Sequence, residues 1–526
     1  MRIGVILDTP VTPEPWAERL LERICKVPEL ALCVAIEPAV TCRRNHPLAR
    51  AWHALEQAVA ARPEPAHCPA YAALRDRLPI FALADRAEIA ALGLDVILDL
   101  STGGGRSCPP ELARHGLWFV DAWRADPGQR GLRALVDRQP VIPMCLCAHM
   151  AGQAEPVVIA TGTLNPKAAA TRSDLFIREK AGVLIVRELM RVQRAGAIHR
   201  HDGPVPAEPA PVSGGDALHY AHRLSALALN RVAEGARARL RLRPEMFFLK
   251  TIGGDPLGFD PSAAIDHLPE GNAYYADPFL WDRDGQLHCF FEVYDYATHR
   301  GHIGVGRLVD GRLLDVRVAL RTDYHLSFPF LFEDGGSLFM MPESCAARRI
   351  EIWRCVAFPD RWERQATALE GTAASDSTLT RIDGRWWLFT NISTDPFEEM
   401  NSELHLFMAS GPGLETLVPH PLNPVVFDSR TARNGGRIFE RHGIRYRPSQ
   451  DNSHGTYGHG LNLMRIDRLT PDDYAETLVR RIEPDFEPGI TGCHHLDVRS
   501  GTIVIDVRKR HGGWPGKGPR SRRPRR

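Results

Sequence analysis

The stretch FLWDRDGQLHCFFE, residues 279–292, decides the fold. An apolar run, a polar turn with one glycine and a second apolar run make a β-hairpin. The pattern returns four times: FLFEDGGSLFMMPE (330–343), LTRIDGRWWLFTN (379–391), IFERHGIRYRPSQ (438–450) and LDVRSGTIVIDVR (496–508). With Gly285, Gly335, Gly384, Gly443 and Gly501 as the turn glycines, the intervals are 50, 49, 59 and 58 residues. Each interval has room for four short strands, and HIGVGRL, IEIWRCV, LHLFMAS and LNLMRI read as further strands between the hairpins. A hairpin held at one phase five times predicts an all-β five-bladed propeller, where a sandwich would show strands without the fixed phase. Too few residues follow the fifth hairpin to complete its blade. The apolar run MFFLKTI (246–252) is therefore expected to pair into that blade and close the ring, which removes an exposed sheet edge.

Upstream, the runs RIGVILD, ALCVAIE, DVILDL, LWFVD, VIPMCLCAH and PVVIATG alternate with helix-like stretches, one of them around Ala51 to Ala61. This alternation predicts an α/β domain over residues 1–200, a Rossmann-type sheet covered by helices on both faces. Gly103, Gly104 and Gly105 follow a strand but form no nucleotide fingerprint, and read as a plain loop. The Pro- and Gly-rich segment HRHDGPVPAEPAPVSGG (199–215) marks a boundary. Residues 201–244 are then linker and one amphipathic connecting helix, 245–507 the propeller, and 508–526 a disordered basic tail. His219 and His222 sit three apart on that helix; with no third ligand nearby, partly buried packing is the expected role rather than metal binding.

The 526 residues exceed what one core usually serves. With 65 basic against 64 acidic side chains, the balance points to neither nucleic acid nor a polyanionic partner. Met1 is followed at once by a β-like run without a basic n-region, and no apolar stretch reaches the ~20 residues that span a bilayer. Eleven scattered cysteines match neither a disulfide framework nor metal spacing. A soluble, cytoplasmic protein with reduced cysteines is expected.

In a propeller the first strand of each blade lines the central channel, so residues equally far before and after the hairpin turns converge at one end of it. Eight residues before the turn glycines stand Asp277, Ser327, Asp376, Gly435 and Cys493, flanked by Arg433, Asn434, His494 and His495. Seven or eight after them come Glu292, Glu343, Asn391 and Gln450. Tyr274, Tyr275, Phe328, Tyr446 and Tyr457 lie nearby, placed either to stack on a sugar ring or to pack the blades. Carboxylates, amides, an arginine and aromatics around one pocket are the chemistry of sugar recognition. Adjacent strand residues point to opposite faces, so one of His494 and His495 is expected to face the channel. That imidazole meets a carboxylate or water or, as a resemblance to related five-bladed propellers implies, stands near an axial ion; calcium there would be held mostly by oxygen ligands, Asp277 and Asp376 the nearest.

Two resemblances follow from these residues. RIGVILDTPVTPEPWAERLLERI, GLDVILDL and ELARHGLWFVDAWRAD resemble formyltransferase-type domains that use a formyl-tetrahydrofolate donor. Where that family shows a His-rich turn, this chain has Val120, Asp121, Ala122 and Trp123, and His115 lies on the wrong side of Trp118, so the resemblance implies a catalytically silent domain over formyl transfer to an amino sugar. YYADPFLW, HLSFPFLFEDG, FMMPES, ARNGGRIF and GCHHLDV, across residues 245–507, resemble the propellers of glycoside hydrolase family 43 and, more closely, the propeller of the glucosamine inositolphosphorylceramide transferase type. The hydrolase resemblance implies a general base at Asp277 and an orienting carboxylate at Asp376. The family's acid does not carry over, because blade four opens with Arg433, Asn434 and Gly435, which leaves Glu343 and Glu292 as carboxylates within reach. A simple hydrolase is thereby disfavoured. The expected function is a carbohydrate-active protein of glycan or glycoconjugate biosynthesis, taking a sugar, sugar nucleotide or glycoconjugate, with catalytic Asp277, Asp376 and Glu343. Its substrate-binding residues would be Glu292, Ser327, Asn391, Arg433, Asn434, Gln450, His494 and His495. The alternative is a non-catalytic sugar-binding scaffold.

Overall fold

The computed structural model describes residues 1–38, 68–102, 104–121, 129–201, 212–239 and 245–510, with a few single positions between. The helix expected around Ala51 to Ala61 falls mostly outside these residues, as do Gly103, Ala122, Trp123 and the tail beyond Arg510. The chain divides into two compact units. One holds Met1–Ala226 with Thr394–Glu398 and Ser453–Gly455, and the other holds the remainder from Leu227.

The first unit is mixed α/β. Its strands are β1 (Arg2–Ile6), β2 (Ala31–Glu37), β3 (Ile80–Ala82), β4 (Val96–Asp99), β5 (Leu117–Val120), β6 (Ile142–His149) and β7 (Val157–Leu164). They form one sheet in the order β3-β2-β1-β4-β5-β6-β7, parallel through β5 and antiparallel at β6 and β7. Asp121 is occupied structurally: Arg130 Nη2 lies 2.5 Å from Oδ2, and the Cys145 amide donates to Oδ1 at 2.6 Å. The helix Gly214–Arg239 forms as the periodicity predicts, but His219 and His222 are exposed, which corrects the expectation that they pack.

The second unit is a five-bladed propeller. Its first two strands in chain order are β8 (Glu245–Gly253) and β9 (Ile265–His267), which belong to the last blade. Blade one then holds β10 (Ala273–Arg283), β11 (Gln286–Asp295), β12 (Arg300–Val309) and β13 (Arg312–Leu320). Blade two holds β14 (Ser327–Asp334), β15 (Ser337–Glu343), β16 (Ile350–Ala357) and β17 (Arg361–Ala368). Blade three holds β18 (Ala374–Ile382), β19 (Arg385–Ile392), β20 (Glu403–Ala409) and β21 (Leu417–Pro419), with β22 (Val426–Phe427) also on β20. Blade four is β23 (Phe439–Arg441), β24 (Ile444–Asp451), β25 (Gly460–Leu469) and β26 (Tyr474–Ile482). Blade five takes β27 (Ile490–Gly492), β28 (Leu496–Arg499) and β29 (Thr502–Arg510) from the end of the ring, and β8 and β9 from its start. The ring closes where β8 runs antiparallel to β29 from Glu245↔Arg510 to Gly253↔Thr502. Two strands, not one, supply the missing edge, because β9 pairs outside β8.

All five inner hairpins turn in two residues with positive φ at both: Asp284-Gly285, Gly335-Gly336, Asp383-Gly384, His442-Gly443 and Ser500-Gly501. This is the type I′ turn, whose twist matches that of the strands it joins. In blade two the glycine equivalent to the other four is Gly336, since Asp334 pairs with Ser337. The expected phase was therefore off by one residue there: the partner of Asp277 and Asp376 is Phe328, not Ser327. The backbone agrees, with φ of 52°, 44° and 47° at Asp277, Phe328 and Asp376. At each of these three positions two residues of the first strand oppose one of the second, a β-bulge repeated in three successive blades. Glu292, Glu343, Asn391 and Gln450 then all stand seven residues after their turn glycines.

Blades four and five approach closely at Gly435 and Gly436. The Leu496 amide donates to the Gly435 carbonyl at 2.8 Å, and a Cβ on Gly436, whose φ is 142°, would lie 1.9 Å from the Leu496 carbonyl oxygen. Gly436→Ala is expected to destabilise the protein by about 2 kcal/mol or more, through both strain and collision. A urea melt would show it as a lower midpoint with an unchanged slope.

Candidate functional site

The three bulges re-aim the ends of the inner strands. Asp277 and Asp376 take left-handed backbone there and are buried, 5% and 2% exposed. Around them the second strands bring Glu292, Glu343, Asn391 and Gln450 to one end of the ring. The residues fall into two groups.

The first group is built on Asp277. His494 Nε2 lies 3.2 Å from Asp277 Oδ1, and His494 Nδ1 lies 3.0 Å from Asp506 Oδ2. Asp506 Oδ1 accepts the amides of His494 and His495, each at 3.0 Å, and Oδ2 accepts the Asp277 amide at 3.1 Å. Burial works against charge on His494, but Asp506 and Asp277 outweigh it and lift its pKa to about 10. Asp506, also desolvated, is held below the usual carboxylate value by His494. His494 is thus an imidazolium between two carboxylates. His495 sets its ring against Phe279 and Phe328 at centroid distances of 4.6 and 5.1 Å, with Nδ1 3.7 Å from Asp277 Oδ1, and burial pushes its pKa down.

The second group is built on Asp376. Arg433 Nε donates to Asp376 Oδ2 at 2.6 Å, Gln450 Nε2 donates to the same oxygen at 2.9 Å, and Arg433 Nη1 donates to Asn401 at 3.0 Å. Glu343 accepts the Asp376 amide at 3.3 Å and lies 3.7 Å from Arg433 Nη2. Burial, and then the Asp376 carboxylate, push the Glu343 carboxyl well above its ordinary pKa. Asn391 and Asn434 support this group from behind. Asn391 Oδ1 accepts the Asn434 amide at 2.9 Å, and Asn434 Nδ2 donates to the Asp376 carbonyl at 2.8 Å. Glu292 flanks the first group, with Tyr274 Oη and His325 Nε2 each 3.4 Å from Oε1, and it too is raised by burial and by Asp277.

Of the sequence candidates, Asp277, His494, Asp376, Glu343, Arg433, Gln450 and Glu292 gather here, while Asn391 and Asn434 hold backbone. Ser327 is buried opposite Glu343 in the register. Most of the aromatics pack the blades: Phe328 is fully buried, Tyr446 stacks on Phe439 and Tyr275 leans on Phe291. Tyr457 is 40% exposed, with the Arg433 guanidinium 4.9 Å from its ring centroid. It offers an exposed aromatic surface at this end. Asp506 escaped the sequence reading. Its signal was a lone acid five residues after Gly501, where the other hairpins place Phe290, Met341, Phe389 and Pro448.

The second unit is thus a five-bladed propeller with a cluster of buried carboxylates, His494 and Arg433 at the turn-distal ends of its inner strands. Residues 262–499 match the family described as glucosamine inositolphosphorylceramide transferase 1, N-terminal. Over 235 residues the chain is 34% identical to glucosamine inositolphosphorylceramide transferase 1 of Oryza sativa subsp. japonica, which covers 43% of this chain and 31% of that protein. The Arabidopsis thaliana protein of the same name is 35% identical over 210 residues, 39% of this chain and 27% of that one. The chain thus spans less than a third of the length of the curated relatives it matches. Among solved structures, the catalytic domain of a Coprinopsis cinerea GH62 α-L-arabinofuranosidase aligns with 50% of this chain and 97% of its own at 11% identity and a TM-score of 0.35. An α-L-arabinofuranosidase from Lactobacillus brevis aligns with 47% of this chain and 87% of its own at 15% identity and a TM-score of 0.34. No helix among the described residues is long and apolar enough to cross a membrane.

Proposed function

We propose that the propeller is carbohydrate-active, taking the sugar part of a sugar nucleotide or glycoconjugate at the Asp277–Asp376 mouth and processing its glycosidic linkage by transfer. The observation that supports this most is the placing of two carboxyl groups in one cluster: Asp277 lies 3.2 Å from His494, while burial and Asp376 drive Glu343 toward its protonated form. Asp277 is the carboxylate placed to act as base or nucleophile, and Glu343 the carboxyl placed to protonate a leaving oxygen. Arg433 positions Glu343 and Asp376 and adds a guanidinium suited to a phosphate on the substrate. The similarity to transferases in the same region, one third identical, points the same way.

Asp277, His494 and Asp506 bring one potential metal-ligand atom each within 4.8 Å of one another. Calcium requires six to eight oxygen ligands. Asp506 already accepts three backbone amides, and both His494 nitrogens face carboxylates. The donor set fits an imidazolium rather than the expected calcium ion.

Incubation with sugar nucleotides and aryl glycosides tests the reading. Asp277→Asn is expected to lower turnover by about a hundredfold or more while ligand binding persists. Glu343→Gln is expected to remove the alkaline limb of the pH–rate profile, which in the wild type lies above the ordinary carboxylate range because Glu343 is raised. Saturable sugar binding with no turnover by the wild type would instead favour the scaffold.

A further inference from the structure

Residues of the inner strands of the blades, on the side of their hairpin turns, line a cavity of about 320 Å³. Its walls come from positions two to six residues before the turn glycines, such as Arg499, Trp281, Phe332 and Arg437. Phe279, Phe328 and His495 pack edge to face on one another, and neither they nor any residue of the Asp277 cluster lines the cavity. The volume is that of a small-molecule site.

The lining is aromatic and cationic. Trp281, Phe332 and Trp386 line it, Trp386 the least buried of the three, and the arginines Arg381, Arg437 and Arg499 share it with the carboxylate Glu333. Arg437 is fixed: Nε donates to Asp497 Oδ1 at 3.0 Å, and its guanidinium lies 5.1 Å from the Phe330 ring centroid. Its Nη2 is buried with no hydrogen-bond partner, an uncommon state for a charged donor. The other Asp497 oxygen accepts the Leu280 amide at 2.7 Å. Arg499 rests 3.9 Å over the Trp281 ring. Burial, and then the neighbouring Arg437, push its pKa below the usual value. Guanidiniums gathered on one cavity, one of them with a donor unmet, raise the local positive potential, which a bound anion offsets.

We propose that this turn-side cavity is a second ligand site, which takes a small organic anion whose phosphate or carboxylate meets the arginines, Arg499 foremost, while a flat ring lies against Trp386. The site does not depend on the function proposed for the Asp277 cluster. It gives the propeller a means of sensing or holding a charged metabolite apart from the sugar.

Trp281 and Trp386 provide the readout, since a ligand there changes tryptophan fluorescence. The full chain is titrated with adenosine 5′-monophosphate, 4-hydroxybenzoate, inorganic phosphate and neutral adenosine. At least one of the two ring anions is expected to bind saturably, about tenfold or more tighter than either inorganic phosphate or adenosine. Arg499→Gln is expected to weaken that binding about tenfold or more, and Asp277→Asn to leave it unchanged. Exposed Arg381→Gln serves as a milder second variant, with a severalfold loss expected, should Arg499→Gln not fold. Four results would overturn the proposal: no saturable change up to millimolar ligand, equal binding by the folded arginine variants, binding lost in Asp277→Asn, or adenosine or phosphate binding as tightly as the ring anions.

Discussion

Leu249→Pro is expected to abolish cooperative folding of the propeller. Leu249 lies in the middle of β8, paired on one side with Asp506 and on the other with His267. A proline there removes a ladder hydrogen bond whichever neighbour receives it, and its ring clashes with a strand flanked on both sides. The side chain is 1% exposed, so its packing against Leu280, Phe291 and Val504 is lost as well. The combined cost, about 5 kcal/mol, is comparable to the whole stability of an ordinary domain. It falls on the one blade assembled from both ends of the ring, where no turn holds the partners together. Circular dichroism and urea melts of the full chain would show the β transition lost or broadened. Leu249→Ile, which keeps the amide and the volume, is expected to melt within about 1.5 kcal/mol of wild type. An unchanged transition in Leu249→Pro would mean that the ring is held closed by something other than β8.

That closure was legible in the sequence because two deficits matched: a fifth hairpin with no following strands and an orphan apolar run before the first. The hairpins were legible because each turn puts a glycine where the type I′ turn needs φ above zero. Blade two misled for the same reason, since Gly335 and Gly336 both satisfy that need and composition does not choose between them. Only the pairing of Asp334 with Ser337 does. The polar end of the ring could be read as a set of positions, but not as a set of bonds. That Arg433 from blade four would tie Asp376 of blade three, or that His494 would bridge to Asp277 of blade one, depends on which blades are neighbours at the axis. Asp506 was hidden because it lies inside an apolar strand, two residues short of the positions that the hairpin symmetry singles out. The bulges were hidden too: nothing in an Asp-Pro or Asp-Ser pair announces that two residues will oppose one.

Asp506 and His494 carry the other large expected effect. Removing His494 leaves Asp277 and Asp506 facing each other at full burial, and breaking a buried ion pair from one side costs about 3–5 kcal/mol. His494→Gln is therefore expected to be strongly destabilised at pH 6. Its pH profile distinguishes this cause from a simple packing defect. The folded pKa of His494, about 10, lies above its ordinary 6.5, so its contribution is fully present below pH 6.5 and is lost as pH rises through about 10. Asp506 has the opposite sign: its folded pKa lies below 3.8, so its contribution is present above that value and fades as pH falls through the lower one. Wild-type stability should hence decline steadily on the alkaline side, and His494→Gln should lose that decline. Asp506→Asn in the His494→Gln background keeps Oδ1 as acceptor for the two amides and removes one of the unpaired charges, so it should recover part of the loss. If wild type and His494→Gln lose stability in parallel between pH 7 and 10, His494 is neutral in the folded protein. The charge balance drawn for the Asp277 cluster would then fail, and with it the argument that an imidazolium fills the place of a metal.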